Sequence, residues 1–128
     1  MELRGRVIKA GRAEGLALVS PEPIGFLGGV DPETGVVVEP GHALEGQCVA
    51  GRVLVFPTGK GSTVGSFTLY WMARTGTAPV AIVNTESEAI VAVGAIMGDV
   101  PMVDQIDIGL IQTGDRVRVD GEKLVLNW

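Results

Sequence analysis

Apolar positions along the chain fall into short runs, each cut off by glycine or proline, and the runs follow two different periods. Leu3 to Lys9 predicts a strand, "KAGRAEG" a turn, and Leu16 to Ser20 a second strand. The stretch "SPEPIGFLGGVDPETG", Ser20 to Gly35, predicts a long loop, because Pro21, Pro23, Gly25, Gly28, Gly29, Pro32 and Gly35 interrupt any regular element. "VVVE", Val36 to Glu39, is a short strand candidate. "RVLVFP" (Arg52 to Pro57) and "PVAIVN" (Pro79 to Asn84) are continuous apolar runs, the pattern of strands buried on both faces. Between them the period lengthens. Val64, Phe67, Tyr70, Trp71 and Arg74 recur at helical spacing, so Thr63 to Thr75 predicts a helix that stops at Gly76. Thr85 and Glu88 stand at capping-box spacing. A second helix should follow, with Ala89, Ala92, Val93 and Ile96 on one face and Gly98 at its end. Val100 to Asp104 is a brief strand. "DRVRVDGEKLVLNW" predicts a hairpin with a type I′ turn at Asp120-Gly121.

Two strand–loop–helix–strand blocks in the middle imply parallel pairing with right-handed crossovers, and the flanking hairpins imply antiparallel pairing. The expectation is an α/β fold with a mixed sheet and flanking β-hairpins. The 128 residues form one domain, 1–128.

Composition narrows the function. The formal net charge is -5 and the sequence pI about 4.8. Ten basic residues are scattered without forming a stripe, which argues against binding nucleic acid. A charged fraction of 20% and a mean hydropathy of +0.35 suggest that a partner covers part of the surface. The longest apolar run, "AIVAVGAIM", is too short to span a bilayer, and "MELRGRVIKAG" lacks the apolar segment of a secretory signal, so a cytoplasmic protein is expected. One cysteine, Cys48, and one histidine, His42, rule out an internal disulfide and cannot build a metal site. Any iron–sulfur cluster must therefore sit on another chain. Cys48 reads as a small buried apolar residue.

The chemistry concentrates in "VFPTGKGSTVGSF", Val55 to Phe67. A nucleotide P-loop is excluded, because Lys60 is followed by Gly61 and Leu54 stands where the first glycine should be. A dinucleotide fingerprint is disfavoured by the spacing of Gly59, Gly61 and Gly65 and by the lack of an acidic residue about 20 positions on. What remains is strand, glycine turn, helix start. The helix start offers unpaired N–H groups and partial positive charge, an arrangement that suits an anion. Gly59 and Gly61 allow close approach, Lys60 adds charge, and Ser62 and Thr63 stand at the mouth. The competing role for Ser62 or Thr63 is a plain helix N-cap. Ser66, one turn into the helix, should be packed or solvated.

"FLGGVDPETG", "RVLVFPTGKGSTVGS", "APVAIVNTESEAIVAVGAIMGDVPMVD" and "GDRVRVDG" together resemble the aconitase-X type swivelling-domain family over nearly the whole chain. The resemblance implies a compact swivelling β/β/α domain, similar to the mobile domain of aconitase. For a free-standing chain of this length it implies the small subunit of an archaeal hydro-lyase. That enzyme dehydrates (R)-5-phosphomevalonate to trans-anhydromevalonate 5-phosphate in a mevalonate route to isoprenoids. It also implies a large-subunit partner carrying a [4Fe–4S] cluster. The small subunit's serine general base matches Ser62, and Lys60, Gly61 and Thr63 become its electrostatic or substrate-binding support. Two alternatives remain: a related dehydratase acting on cis-3-hydroxy-L-proline, and a non-catalytic assembly or regulatory subunit. The "FLGGVDPETG" loop is expected at the partner or active-site face.

Overall fold

In the computed structural model, which describes residues 1–60 and 63–128, eight strands form one mixed sheet in the order β1-β8-β7-β3-β4-β5-β6-β2. The expected first strand is two: β1 (Glu2–Arg4) and β2 (Arg6–Lys9). β1 pairs antiparallel with β8 (Lys123–Leu126), and β2 pairs antiparallel with β6 (Met102–Asp104). These partners lie at opposite ends of the strand order, so the N-terminal segment brings the two ends of the sheet together and nearly closes it. Gly5 is the crossing point. A side chain there would collide with the Asp104 carbonyl, Val103 and Ile106.

The second strand, β3 (Arg12–Val19), begins four residues before the expected Leu16. Arg12 to Leu16 pair antiparallel with β7 (Arg116–Asp120), and Ala17 to Val19 pair parallel with β4 (Val53–Phe56). Its first half does alternate, with Arg12, Glu14 and Leu16 outward. The inward positions are Ala13 and Gly15, too small to announce a strand.

β4, β5 (Ala81–Asn84) and β6 are parallel neighbours, and every residue in them is buried. Their side chains feed two cores in alternation. Leu54, Phe56, Ile82 and Met102 face the helix layer; Val53, Val55, Ala81, Val83 and Val103 face the inside of the sheet with Val117, Val119, Leu124 and Leu126. Two-sided burial explains the continuous apolar runs.

The helices are α1 (Gly65–Thr75) and α2 (Ala89–Gly98). Gly76 ends α1 in the left-handed region at φ 84°, as expected, and Asp99 does the same for α2 at φ 57°. The expected α2 face is wrong. Val91, Gly94 and Ala95 are buried, while Val93 and Ile96 are exposed. Gly94 lets Leu69 and the Ser66 carbonyl of α1 come to about the closest approach a Cβ would tolerate, 3.0 Å. The interface is built on small residues, which a hydrophobicity stripe does not register. On α1 the inward side chains are Ser66, Leu69 and Met72, and Val64, Phe67 and Trp71 point outward.

Val36 to Glu39 forms no strand, only single bridges from Val36 to Cys48 and from Val37 to Val30. In the C-terminal hairpin Asp120 pairs with Lys123, so the loop is Gly121-Glu122. Gly121 has φ 58° and Glu122 is not in the left-handed region. That is the type II′ pattern, not the expected I′, which needs positive φ at both loop residues.

Candidate functional site

The carboxyl ends of β4, β5 and β6 lie side by side, and the segments leaving them are tied together. The amides of Thr85 and Glu86 both donate to the Pro57 carbonyl at 3.0 Å, and the Gln105 amide donates to the Thr85 carbonyl at 2.9 Å. This is the edge of a parallel sheet where loops usually form a binding site. At its β6 corner, Asp104 is fully buried and takes Arg6 in a fork, with Nε at 3.0 Å and Nη2 at 2.7 Å. The Ser87 amide donates to the same carboxylate at 2.9 Å. Burial pushes the Asp104 carboxyl up, but the Arg6 and Ser87 hydrogen bonds and the Arg6 charge outweigh it and hold the group below the usual carboxylate range.

The glycine loop leaves β4 at Pro57 and runs beside the upstream loop. The Ile24 amide donates to the Thr58 carbonyl at 3.3 Å, and the Lys60 amide donates to the Ile24 carbonyl at 3.0 Å. Gly25 is required there, since a Cβ would sit 2.5 Å from the Lys60 carbonyl oxygen. Gly59 is required for a second reason: a Cβ would lie 2.5 Å from Val91 Cγ2 and 3.0 Å from Glu88 Oε1. The loop therefore crosses directly over the first turn of α2.

Lys60 Nζ donates to Glu39 Oε2 at 3.1 Å, so the ammonium comes to the site as half of an ion pair. Thr63 is exposed, and its carbonyl accepts from Ser66 Oγ at 2.9 Å. Ser66 is thus packed, one of the two outcomes expected for it. The helix begins at Gly65 and not at Thr63, with Val64 in the N-cap position, whose side chain has no capping oxygen. The N-cap position is thus occupied by Val64 and not by Thr63. Gly61 and Ser62, the candidate binding glycine and candidate base, lie outside the described residues.

The N-terminus of α2 differs. Its N-cap is Glu88 itself, not Thr85, with Oε2 accepting from the Ile90 amide at 2.8 Å and Oε1 from the Val91 amide at 3.1 Å. The chain's own carboxylate has taken that anion position. At the other helix start on this edge, that of α1, the N-cap residue is Val64, whose own side chain makes no capping hydrogen bond.

The "FLGGVDPETG" loop divides in two. Its first half adjoins the site: the Leu27 amide lies near Gly65, and Gly29 comes within 3.6 Å of Glu39 Oε1, distances taken from the Cβ each glycine lacks. Its second half turns away to the far end of α1, where Thr77 Oγ1 donates to the Pro32 carbonyl at 2.8 Å. Exposed Leu27, Val64, Phe67 and Trp71 continue from the loop along the outer face of α1.

His42 is buried and structural. Its Nδ1 accepts from the Leu44 amide at 3.0 Å, which leaves Nε2 as the donor to the Pro23 carbonyl, also at 3.0 Å. Cys48 is exposed and not buried as expected; its thiol donates to the Thr34 carbonyl at 3.3 Å. Among the described residues no three His, Cys, Asp or Glu side chains are grouped to hold a metal, so they do not fit an iron–sulfur cluster. Glu39, Glu88 and Asn84 also border this edge. Of these, Glu88 had its capping-box spacing as a signal in the sequence and Asn84 its place as the polar residue closing an otherwise apolar strand, whereas Glu39 had none.

The family profile "Aconitase X swivel domain" matches residues 2–127. The chain is 52% identical over 122 residues to a protein of Thermococcus kodakarensis named phosphomevalonate dehydratase small subunit, covering 95% of this chain and 92% of that one. It is 54% identical over 124 residues to a protein of the same name from Methanocella arvoryzae, with 94% of each covered. Its fold superposes on the crystal structure of Thermococcus kodakaraensis aconitase X in the holo form with a TM-score of 0.96, at 49% identity and 98% coverage of both chains. On this end-to-end agreement in sequence and fold, the chain belongs to the aconitase X swivel domain family.

Proposed function

We propose that this chain is the small subunit of a hydro-lyase that dehydrates (R)-5-phosphomevalonate to trans-anhydromevalonate 5-phosphate, and that it supplies the general base, Ser62. The observation that carries the reading is the end-to-end identity with proteins named phosphomevalonate dehydratase small subunit, across a chain whose glycine loop sits at the carboxyl edge of the sheet. Removing water across a C–C bond needs a group to draw off the hydroxyl and a base to take a proton from carbon. Among the described residues none are grouped to hold a metal for the first role. A [4Fe–4S] cluster on the large subunit supplies that Lewis acidity, and the protein works only as a complex with that subunit.

The base side is this chain's own. Ser62 Oγ takes the proton from substrate carbon. A serine alkoxide needs fixed donors in a site that excludes water. Lys60, Gly61, Thr63 and the N–H groups at the α1 start are the candidates for that work. Lys60 acts through its contact with Glu39, so it is positioned as well as charged. Exposed Phe67 and Trp71 beside the loop are suited to being covered by the large subunit, which would also seal the site from solvent. The lone Cys48, with no second thiol in the chain, suits a reducing compartment, the cytoplasm.

The test is to co-express the chain with its cluster-bearing large subunit and assay the purified complex on (R)-5-phosphomevalonate. One heteromeric species that releases the anhydro product supports the reading. A complex inert on this substrate but active on cis-3-hydroxy-L-proline would move the chain to the related dehydratase, and turnover by the large subunit alone would make it an accessory subunit.

A further inference from the structure

Among the described residues, one buried side-chain polar atom has no hydrogen-bond partner: Oδ1 of Asn84. Asn84 is wholly buried at the end of β5, opposite Phe56, the last residue of β4. Ile82 faces the helix layer, so Asn84, two residues on, faces the same side. Its other end is well used. Nδ2 donates to the Phe56 carbonyl at 3.0 Å and to the Val83 carbonyl at 3.3 Å. Turning the amide over would set its oxygen against those two carbonyls, so the free end is the oxygen.

The place is specific. One residue after Phe56 comes Pro57, whose carbonyl takes the amides of Thr85 and Glu86, the two residues after Asn84. Asn84 thus sits at the root of the glycine loop, between the strand that launches it and the segment that leads to α2. An apolar side chain would complete the strand without leaving a buried acceptor empty, and buried acceptors are seldom left so.

We propose that Asn84 is a positioning residue for the reaction: its amide nitrogen fixes the strand end from which the loop departs, and its free oxygen is the acceptor for an N–H or O–H donor brought in with the substrate-loaded complex. The inference rests on the dehydratase reading, because it is that complex which supplies the donor.

The experiment compares Asn84→Leu and Asn84→Asp with wild type in the complex, with (R)-5-phosphomevalonate as substrate. Leucine removes the unsatisfied acceptor but also the two hydrogen bonds that Nδ2 donates to the Phe56 and Val83 carbonyls, so a purely structural Asn84 gives a variant that melts lower yet turns over normally below its melting temperature. The positioning role gives a variant that, assayed well below its melting temperature, loses kcat by about 100-fold, the scale for a loop displaced by an ångström, with KM changed much less. Aspartate decides the matter if the leucine variant does not fold. Its neutral acid can donate to the Phe56 carbonyl and keep an accepting oxygen, whereas its anion cannot donate, and burial raises its pKa. The Asn84→Asp complex should therefore gain kcat, relative to wild type, as pH is lowered. Wild-type kcat in the leucine variant, or a pH profile in the aspartate variant that parallels wild type, overturns the inference. Neither result touches the reading beneath it, which fails separately if the wild-type complex does not dehydrate the substrate.

Discussion

Replacing Gly59 with alanine puts one methyl group where the structure has no room for it. The new Cβ would lie 2.5 Å from Val91 Cγ2, 3.0 Å from Glu88 Oε1 and 3.2 Å from Glu88 Cβ. Neither of the two residues that own these atoms can yield cheaply. Val91 is buried against the α1–α2 core, and Glu88 is held by the Ile90 and Val91 amides as the N-cap of α2. Either the loop lifts off α2 or the first turn of α2 shifts. Overpacking of this kind costs about 1–3 kcal/mol. Losing the Glu88 cap as well would add about 1 kcal/mol. The matched control is Gly65→Ala, six residues on at the first position of α1. There the nearest atoms stand at 3.6 and 3.7 Å, ordinary contact. Alanine also outranks glycine in a helix by up to about 1 kcal/mol, so this variant should hold or gain stability. Urea unfolding of the isolated chain reads both. Gly59→Ala should fall by about 1–3 kcal/mol while Gly65→Ala does not fall, and turnover of the Gly59→Ala complex should drop further than its stability does. Equal stability of the two variants would refute the claim that the loop crosses α2 in contact.

The Arg6–Asp104 fork should respond asymmetrically. Arg6→Ala leaves a buried carboxylate without its counter-charge and should destabilise the chain more than Asp104→Asn, which leaves a half-exposed guanidinium that water can reach. Because the Asp104 carboxyl is held below its ordinary value of about 4, its contribution is complete above that pH and is lost as pH falls through the lower folded-state value. Acid unfolding monitored by circular dichroism should lose that component in Arg6→Ala. Glu88→Ala should cost about 1 kcal/mol and Glu88→Gln less, measured by thermal melting. Phe67→Ala and Trp71→Ala should change the isolated chain by no more than about 0.5 kcal/mol, because both side chains are already exposed. The same pair should weaken association with the large subunit by about tenfold or more each in a titration, as central aromatic contacts do.

What the sequence made legible follows from where information is local. β4 and β5 were readable because burial on both faces leaves an uninterrupted apolar run, and α1 ends at Gly76 because only a left-handed residue closes it there. The break at Gly5 was not readable. It is imposed by β6 and β8, the partners on either side, and no property of "LRGRV" announces it. The α2 face was misread because Gly94 and Ala95 set the distance to α1 while larger residues are left outside. At the site, the glycine loop was visible as composition, and the sequence placed Gly59 and Lys60 correctly at the end of β4. The contact of Lys60 with Glu39 was invisible, since it joins residues 21 positions apart through an irregular loop. Glu88 was seen as half of a capping box, but it does the capping itself, because the chain stays extended through it, at φ -108° and ψ 142°, before the helix begins.

The central claim is that this chain delivers the proton-abstracting base through Ser62. The most direct measurement follows deuterium from solvent into recovered substrate and product, using the complex with wild-type chain and with Ser62→Ala. The account expects the variant to assemble with the large subunit and bind substrate, and to lose exchange at the substrate carbon by about 100-fold or more. Exchange at the wild-type rate in an intact Ser62→Ala complex would contradict it.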